Sequence, residues 1–263
     1  MSGIGDHGPS LARPALRQPR LQAVIFDVDG TLADTERDGH RPAFNEAFLR
    51  HGLDVAWDAE EYGRLLQITG GRRRVATYLG ERGYGPEAED LAVRVHQTKT
   101  ALFRERVVTG GFTTRPGVPE LVADLRRAGI RIAVATTGRR AWAEPLVTQL
   151  LGPDVVEVLV TGEMVPRLKP DPAAYRLVLQ ELGLRADEAL AVEDSAIGLR
   201  SVTAAGLATI VVTNDYTAGQ DFAGAAAVRA GFDGPEPLSA QRCRAVHDSW
   251  WTRREEGMGP APT

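Results

Sequence analysis

The sequence predicts an α/β fold in which a Rossmann-like parallel sheet carries an inserted α-helical unit. From residue 118 onward, short apolar runs alternate with helical patterns, and this alternation is typical of βαβ units. A first apolar run, Ala23 to Phe26, stands far ahead of the others, and residues 40 to about 107 between them are patterned as helices. We therefore expect the first strand to belong to the later sheet and the helical unit to interrupt it.

The elements are expected in a simple order. The run at 23–26 is short, β-branched and aromatic, as in a buried strand. In the insertion, residues 91–107 predict a long amphipathic helix, and Thr69 to Arg74 predicts a break between helices because it contains two glycines. Residues 110–117 hold Gly and Pro and predict the linker back. Beyond it we expect strands at 131–136, 155–160, 189–192 and 208–212, and helices at 118–128, 139–151, 172–182 and 196–205.

Composition excludes several classes of function. The chain has 263 residues, 43% of them hydrophobic, so it can bury a sizeable core. Its net charge of −4 gives no electrostatic footprint for nucleic acid or an anionic membrane. The apolar runs fall short of the roughly 18 residues that span a bilayer, and the single cysteine fits a reducing compartment. We expect a cytoplasmic protein that binds neither nucleic acid nor membrane.

Both ends of the sequence are expected to be disordered tails. Residues 1–19 combine arginines with Pro and Gly and lack the apolar stretch of a secretory signal. Residues 251–263 are similarly polar and rich in Pro and Gly.

The most informative motif follows the first strand. Asp27 and Asp29 stand two residues apart at its carboxyl end, where open parallel sheets bind ligands, and Gly30 lets the backbone turn. A calcium loop beginning at Asp27 would need Gly and Glu at its sixth and twelfth positions, which hold Leu32 and Asp38 instead. Taken alone, the motif fits either a pair of catalytic carboxylates or a plain Asp-rich turn.

Polar groups follow three further strands. Thr136 and Thr137 precede a glycine and a helix, which suits either a phosphate cradle or an ordinary helix cap. Lys169 lies between a strand and a proline-initiated helix, where it could neutralise phosphoryl charge or be a surface lysine. Glu193 and Asp194 close an apolar strand and would, with the first aspartate, form the oxygen-rich site that Mg²⁺ prefers.

These four pieces, in this order along the chain, resemble the haloacid-dehalogenase superfamily of phosphotransferases. The resemblance implies a Rossmann-like core at 20–35 and 114–250 and a helical cap at 36–113. It also implies that Asp27 is the nucleophile and Asp29 the general acid/base, and that Thr136 and Lys169 bind the phosphate.

The same resemblance implies a metal site. Mg²⁺ would be held by Asp27, Asp194 and the backbone carbonyl of Asp29, while Glu193 would support the metal through water.

Segments of the cap resemble the CbbY branch of sugar-phosphate phosphatases. They are Asp34 to Arg41, Glu61-Tyr62, Thr69-Gly70-Gly71 and Arg74, and Glu193-Asp194-Ser195 in the core resembles the branch too. The best-known member removes the 1-phosphate of xylulose 1,5-bisphosphate, an inhibitor of Rubisco. The expected substrate-binding residues are Glu36, His40, Tyr62, Arg74, Lys99, Thr137 and Arg139, although the segment around Arg139 departs from the branch pattern.

Arg74 is the expected anchor for a second phosphate, because arginine binds phosphate by bidentate contacts. A solvated run of arginines is the alternative.

The sequence thus predicts a Mg²⁺-dependent phosphatase that acts on a small-molecule sugar phosphate through an aspartyl phosphate, as a monomer. Three alternatives remain open. One is a phosphosugar mutase of the β-phosphoglucomutase type, and another is a phosphatase of a different small ester such as phosphoglycolate. The third, a non-catalytic sugar-phosphate sensor, is opposed by the intact set of acidic residues and lysine.

Overall fold

A parallel sheet of six strands in the order β3-β2-β1-β4-β5-β6 forms the centre of the protein. The computed structural model describes residues 21–257. The first strand along the chain pairs with the second and the fourth, so the strand order reverses beside it. The carboxyl ends of neighbouring parallel strands meet at one edge, and the reversal opens a crevice there. The strands are β1 Ala23–Phe26, β2 Arg131–Ala135, β3 Val158–Val160, β4 Ala189–Glu193, β5 Ala208–Val212 and β6 Ala227–Arg229.

Helices cover both faces of the sheet. They are α5 Val118–Arg127, α6 Arg140–Leu151, α7 Ala173–Leu182, α8 Ala196–Ala205 and α9 Ala240–Glu255. Alternate side chains of β1 enter two separate apolar layers: Val24 and Phe26 pack on one face, Ala23 and Ile25 on the other. Because both faces are buried, the strand is a continuous apolar run rather than an alternating one.

The expected helical insertion lies between β1 and β2. A single π-helical turn, Glu36–His40, leads into four helices, and these share an apolar cluster built around Phe44, Phe48, Trp57 and Tyr78. The cap, as we call this insertion, therefore has a core of its own above the sheet edge. Its helices are α1 Arg41–Arg50, α2 Ala59–Leu65, α3 Gly71–Glu81 and α4 Glu87–Val108.

Three details differ from the expectations. The third strand begins at Val158 rather than at residue 155. At the end of the chain, residues 251–255 are helical rather than part of the expected tail, because they continue α9, which is anchored by the buried Trp250. Arg74 lies in the first turn of α3 rather than in the break before it. The expected tail at 1–19 and residues 258–263 lie outside the described residues.

Within residues 21–257, no helix is both long and apolar enough to cross a membrane.

Candidate active site

Three buried carboxylates meet at the crevice in the sheet edge. Asp27 follows β1, Glu193 ends β4 and Asp194 comes next, and one oxygen of each lies within 4.8 Å of the others. Gly30 adopts φ +84°, and a Cβ there would overlap the carboxylate of Asp194. The glycine of the motif is therefore needed both for the turn and for the close approach of the two acidic segments.

Lys169 joins two of these carboxylates. The lysine lies between β3 and α7, and its Nζ donates to Oδ1 of Asp27 at 2.5 Å, to Oε1 of Glu193 at 2.6 Å and to the carbonyl of Ala135 at 2.9 Å. These three acceptors use all three ammonium protons. Burial alone lowers the pKa of Lys169, but the two carboxylates outweigh it and hold the pKa well above its usual value. The lysine is therefore a fixed positive charge.

Glu193 anchors this lysine. Its Oε1 also accepts a hydrogen bond from the hydroxyl of Tyr175 at 2.5 Å. The carboxylate lies against Gly198 in the first turn of α8, where a Cβ would overlap it. Oε1 of Glu193 therefore accepts hydrogen bonds from two protein donors. That Glu193 supports a metal through water stays a prediction.

The acidic cluster has the chemistry of a magnesium site. Burial raises the pKa of Asp27 well above its ordinary value; Lys169 opposes this, and the neighbouring carboxylates add to it. The pKa of Asp194 is raised chiefly by burial and next by Glu193, against a hydrogen bond from Asn214. Crowded carboxylates that resist ionisation would be stabilised by a hard divalent cation with oxygen ligands. The donors present therefore fit Mg²⁺.

Asp29 belongs to a different network. Its Oδ1 accepts a hydrogen bond from the Thr35 hydroxyl at 2.6 Å and lies 3.1 Å from Nε2 of His40. Nζ of Lys99 lies 2.7 Å from Nδ1 of the same imidazole, so Nδ1 accepts and Nε2 carries the proton that faces Asp29. The ring of Phe103 stacks on His40 at 3.9 Å. Both His40 and Lys99 come from the cap, which thus holds the second aspartate while the core holds the first.

The two aspartates also differ in electrostatic environment. Burial raises the pKa of Asp29, but His40, Thr35 and Lys99 together outweigh burial and bring it below its ordinary value. Burial lowers the pKa of Lys99 to about 8, although Glu36 and Asp29 oppose the shift. In the unliganded protein the pKa values of these two neighbouring carboxylates are therefore shifted in opposite directions.

Thr136 and Thr137 end β2 beside the crevice. The hydroxyl of Thr136 is buried and accepts a hydrogen bond from the backbone N–H of Gly138 at 2.9 Å. Its own proton remains available for a ligand. Thr137 borders the crevice, and Arg139 follows as the N-terminal cap residue of α6.

The cap contributes a second linked group. The Tyr62 hydroxyl donates to Oε2 of Glu36 at 2.5 Å and accepts from Nη1 of Arg74 at 3.2 Å. Nε of Arg74 donates to the carbonyl of Leu65 at 3.0 Å, and its guanidinium carbon lies 5.3 Å from the centre of the Tyr62 ring. Arg74 is only 8% exposed, so it is a desolvated cation rather than part of a solvated run.

Two adjoining cavities connect these groups. A cavity of about 140 Å³ contains the acidic cluster, and one of about 390 Å³ extends under the cap. Glu36 and Arg74 border both. The larger cavity is lined by basic side chains, and burial together with the surrounding cations lowers the pKa of His96 to about 4. Its basic residues are His40, Arg72, Arg73, Arg74, His96, Lys99 and Arg139.

Most predicted site residues meet in this cleft. All of them except Thr136 and Tyr62 line at least one of the two cavities. Tyr62 is hydrogen-bonded to Glu36 and Thr136 to Gly138, and both of these partners line a cavity.

Sequence reasoning missed three supporting residues. Tyr175 holds Glu193, and Nδ2 of Asn214 donates to Oδ2 of Asp194 at 2.7 Å. Arg115, in the linker from cap to core, donates to the carbonyl of Gly30 at 2.6 Å and to two backbone carbonyls at the end of β5, those of Val212 and Thr213. Asn214 could have been found, because it follows an apolar strand at the same sheet edge; the other two offered no local signal.

Known proteins are similar to this chain in sequence and in fold. A family model described as haloacid dehalogenase-like hydrolase matches residues 21–206. Protein CbbY of Cereibacter sphaeroides is 43% identical over 208 residues, covering 78% of this chain and 90% of that protein. Protein CbbY of Cupriavidus necator is 40% identical over 236 residues, covering 86% and 92%. A crystal structure of CbbY from Rhodobacter sphaeroides in complex with xylulose-(1,5)bisphosphate has a TM-score of 0.72 and 40% identity, covering 83% of this chain and 97% of that one.

The family model matches most of the chain, and the alignments with the two CbbY proteins cover about nine tenths of each of those proteins at 40% identity or more. The chain therefore belongs to the haloacid dehalogenase-like hydrolases and is a phosphatase related to the CbbY proteins.

Proposed function

We propose that this protein is a Mg²⁺-dependent phosphatase that converts xylulose 1,5-bisphosphate to xylulose 5-phosphate through an aspartyl phosphate on Asp27. The observation that carries the proposal is the division of the cleft into an acidic centre with one lysine and an adjoining basic cavity. The first suits the phosphate being transferred and the second suits a phosphate that stays. A CbbY protein crystallised with the same bisphosphate supports the choice of substrate.

Asp27 is the nucleophile in this proposal. Lys169 donates to its Oδ1, which leaves Oδ2 to attack phosphorus in line with the departing sugar oxygen. The P–O bond to the sugar breaks as the Asp27–phosphorus bond forms. When bound by Asp27, Asp194 and the carbonyl of Asp29, Mg²⁺ would hold the carboxylates ionised and neutralise charge on the transferred group. The Lys169 ammonium and the Thr136 hydroxyl stabilise the same charge.

Asp29 moves the protons. It protonates the departing sugar oxygen, and it later takes a proton from the water that attacks the aspartyl phosphate. In the free protein its pKa is below the ordinary value; a bound phosphate dianion beside it favours the protonated carboxyl. His40, held by Lys99, keeps the carboxyl turned toward the cap, where the leaving oxygen must lie.

The cap selects the substrate. Arg74 borders both cavities, so its guanidinium can reach a second phosphate while the first is at Asp27. Glu36 borders both cavities beside it, and its carboxylate can accept hydrogen bonds from sugar hydroxyls, while the Tyr62 hydroxyl donates to that carboxylate and fixes its position.

The proposal extends to the setting of the enzyme. We propose a cytoplasmic monomer whose partner is a small sugar phosphate and whose reaction removes a Rubisco inhibitor, next to the Calvin cycle. Sedimentation of the purified protein tests the monomer.

A phosphate-release screen tests the proposed activity. The protein is assayed with xylulose 1,5-bisphosphate, xylulose 5-phosphate, β-glucose 1-phosphate and phosphoglycolate, each with Mg²⁺ and with excess chelator. We expect the bisphosphate to give the highest kcat/KM and to release one phosphate per molecule, only with Mg²⁺. Isomerised sugar phosphate without phosphate release would indicate a mutase. A preference for phosphoglycolate would refute the substrate, and turnover of none of the esters would indicate a sensor.

A further inference from the structure

A short segment after β5 lies between the acidic cluster and the cap. Nδ2 of Asn214 donates to Oδ2 of Asp194 at 2.7 Å and lies 3.3 Å from the carbonyl of Gly30. Its Oδ1 accepts a hydrogen bond from the backbone N–H of Tyr216 at 2.9 Å. The amide is therefore held from both ends, and its donor end faces a carboxylate, which an aspartate in the same place would repel.

Tyr216 continues this chain of contacts into the cap. Its ring packs edge-on against the ring of Tyr62, with centres 5.8 Å apart. It also lies against Gly63, where a Cβ would come within 3.2 Å of the Tyr216 ring. Tyr216 belongs to the part of the chain that forms the sheet, yet its side chain packs against the apolar cluster of the cap. Tyr62 in turn bonds Glu36 and Arg74 at the cleft.

The segment between these contacts is short and internally bonded. The backbone N–H of Asn214 donates to the hydroxyl of Thr217 at 3.0 Å, and the N–H of Thr217 donates back to the carbonyl of Asn214 at 3.0 Å. The segment that joins the Asn214 amide to the Tyr216 ring is therefore fixed by its own hydrogen bonds as well as by the contact with the cap.

We propose that Asn214 is a positioning residue for the metal-binding carboxylate of Asp194, and that Tyr216 sets the place of Asn214 from the cap. The inference rests on the proposed function, since it assumes that Asp194 binds Mg²⁺. A group that orients a metal ligand raises metal affinity by limiting the positions of that ligand. Packing of the cap on Tyr216 therefore favours Mg²⁺ binding, and by linkage bound Mg²⁺ favours the packed cap.

Mg²⁺ binding to the substrate-free protein, measured by titration calorimetry, tests this inference without reference to turnover. Asn214→Ala and Tyr216→Ala are each expected to raise the Kd for Mg²⁺ by about tenfold or more. The double variant is expected to be no weaker than Asn214→Ala alone, because both changes act through the same amide. Tyr216→Leu, which keeps more of the apolar contact, is expected to lie between Tyr216→Ala and wild type.

Phe222→Ala is the matched control. This aromatic residue lies in the same connection between β5 and β6 but packs against core residues such as Leu199 and Val211 instead of the cap. It is expected to lower Tm without changing the Kd for Mg²⁺. Tm of every variant in the absence of metal separates a loss of folding from a loss of metal affinity.

Two results would overturn the inference. If Tyr216→Ala and Tyr216→Leu both bind Mg²⁺ as wild type does while Asp194→Ala does not, the metal site stands and the link through Tyr216 is wrong. If Asp194→Ala binds Mg²⁺ as well as wild type, the metal site itself is misassigned and the proposed function fails with it.

Discussion

Replacing Arg74 by alanine removes the cation that the proposal assigns to the second phosphate. Arg74 is 8% exposed, and two of its guanidinium nitrogens donate hydrogen bonds: Nε to the carbonyl of Leu65 and Nη1 to the hydroxyl of Tyr62. Nη2 makes no hydrogen bond to any residue between 21 and 257 and is the group available to a ligand. Arg74→Ala therefore removes one charged contact made in a desolvated place.

The size of the effect follows from that environment. Loss of one desolvated charge-assisted contact costs about 2 to 4 kcal/mol, which is about thirty- to a thousandfold in kcat/KM. A small monophosphate ester needs only Lys169 and the acidic centre, so its kcat/KM is expected to change by less than about threefold. Arg74→Lys keeps the charge but not the paired geometry and is expected to recover part of the loss.

Steady-state phosphate release gives kcat/KM for xylulose 1,5-bisphosphate and for p-nitrophenyl phosphate, the small monophosphate ester. Arg82→Ala is the control, because this exposed arginine follows the same helix and stacks on Tyr78 away from both cavities. Equal losses for the two substrates would show that Arg74 supports the fold or the core, and the bisphosphate argument would lose its physical basis.

Three further changes have distinct expected results. Asp194→Ala should raise the Mg²⁺ concentration needed for half-maximal activity at least tenfold, and full activity in excess chelator would contradict the metal site. Gly198→Ala places a methyl group in the Glu193 carboxylate, so kcat and Tm should both fall, whereas Gly80→Ala, with open space around it, should leave both nearly unchanged. Lys99 has a pKa of about 8 in the fold and 10.5 unfolded, so the unfolded chain binds more protons between these values. The free energy of unfolding should therefore rise with pH from 8 to 10.5, and less steeply in Lys99→Met; parallel pH curves would refute the buried lysine.

The sheet and the position of the acidic residues at its edge could be predicted from the sequence, because the patterns that indicate them are local. β1, β4 and β5 are uninterrupted apolar runs, and a strand buried on both faces has this composition. Polar residues directly after such runs, such as Asp27 and Asp194, must gather at one edge once the strands are parallel. That rule alone placed the acidic centre.

Other features depend on contacts between distant segments and left no local pattern. β6 has three residues, none of them buried, so its sequence does not read as a strand. α9 is highly charged, and it packs on the core through a few buried side chains such as Trp250. Tyr175 and Arg115 act through partners 18 and 85 residues away. Such pairings are set by the packed fold rather than by neighbouring residues.

The most direct test of the central claim is the identity of the residue that carries the phosphoryl group. Wild-type protein is mixed with Mg²⁺ and xylulose 1,5-bisphosphate, quenched in acid within milliseconds, and digested for mass spectrometry. We expect one phosphorylated peptide, with the phosphoryl group on Asp27, and none in Asp27→Asn, whose turnover should fall by several orders of magnitude. A phosphoryl group on any other residue, or undiminished turnover by Asp27→Asn, would contradict the account.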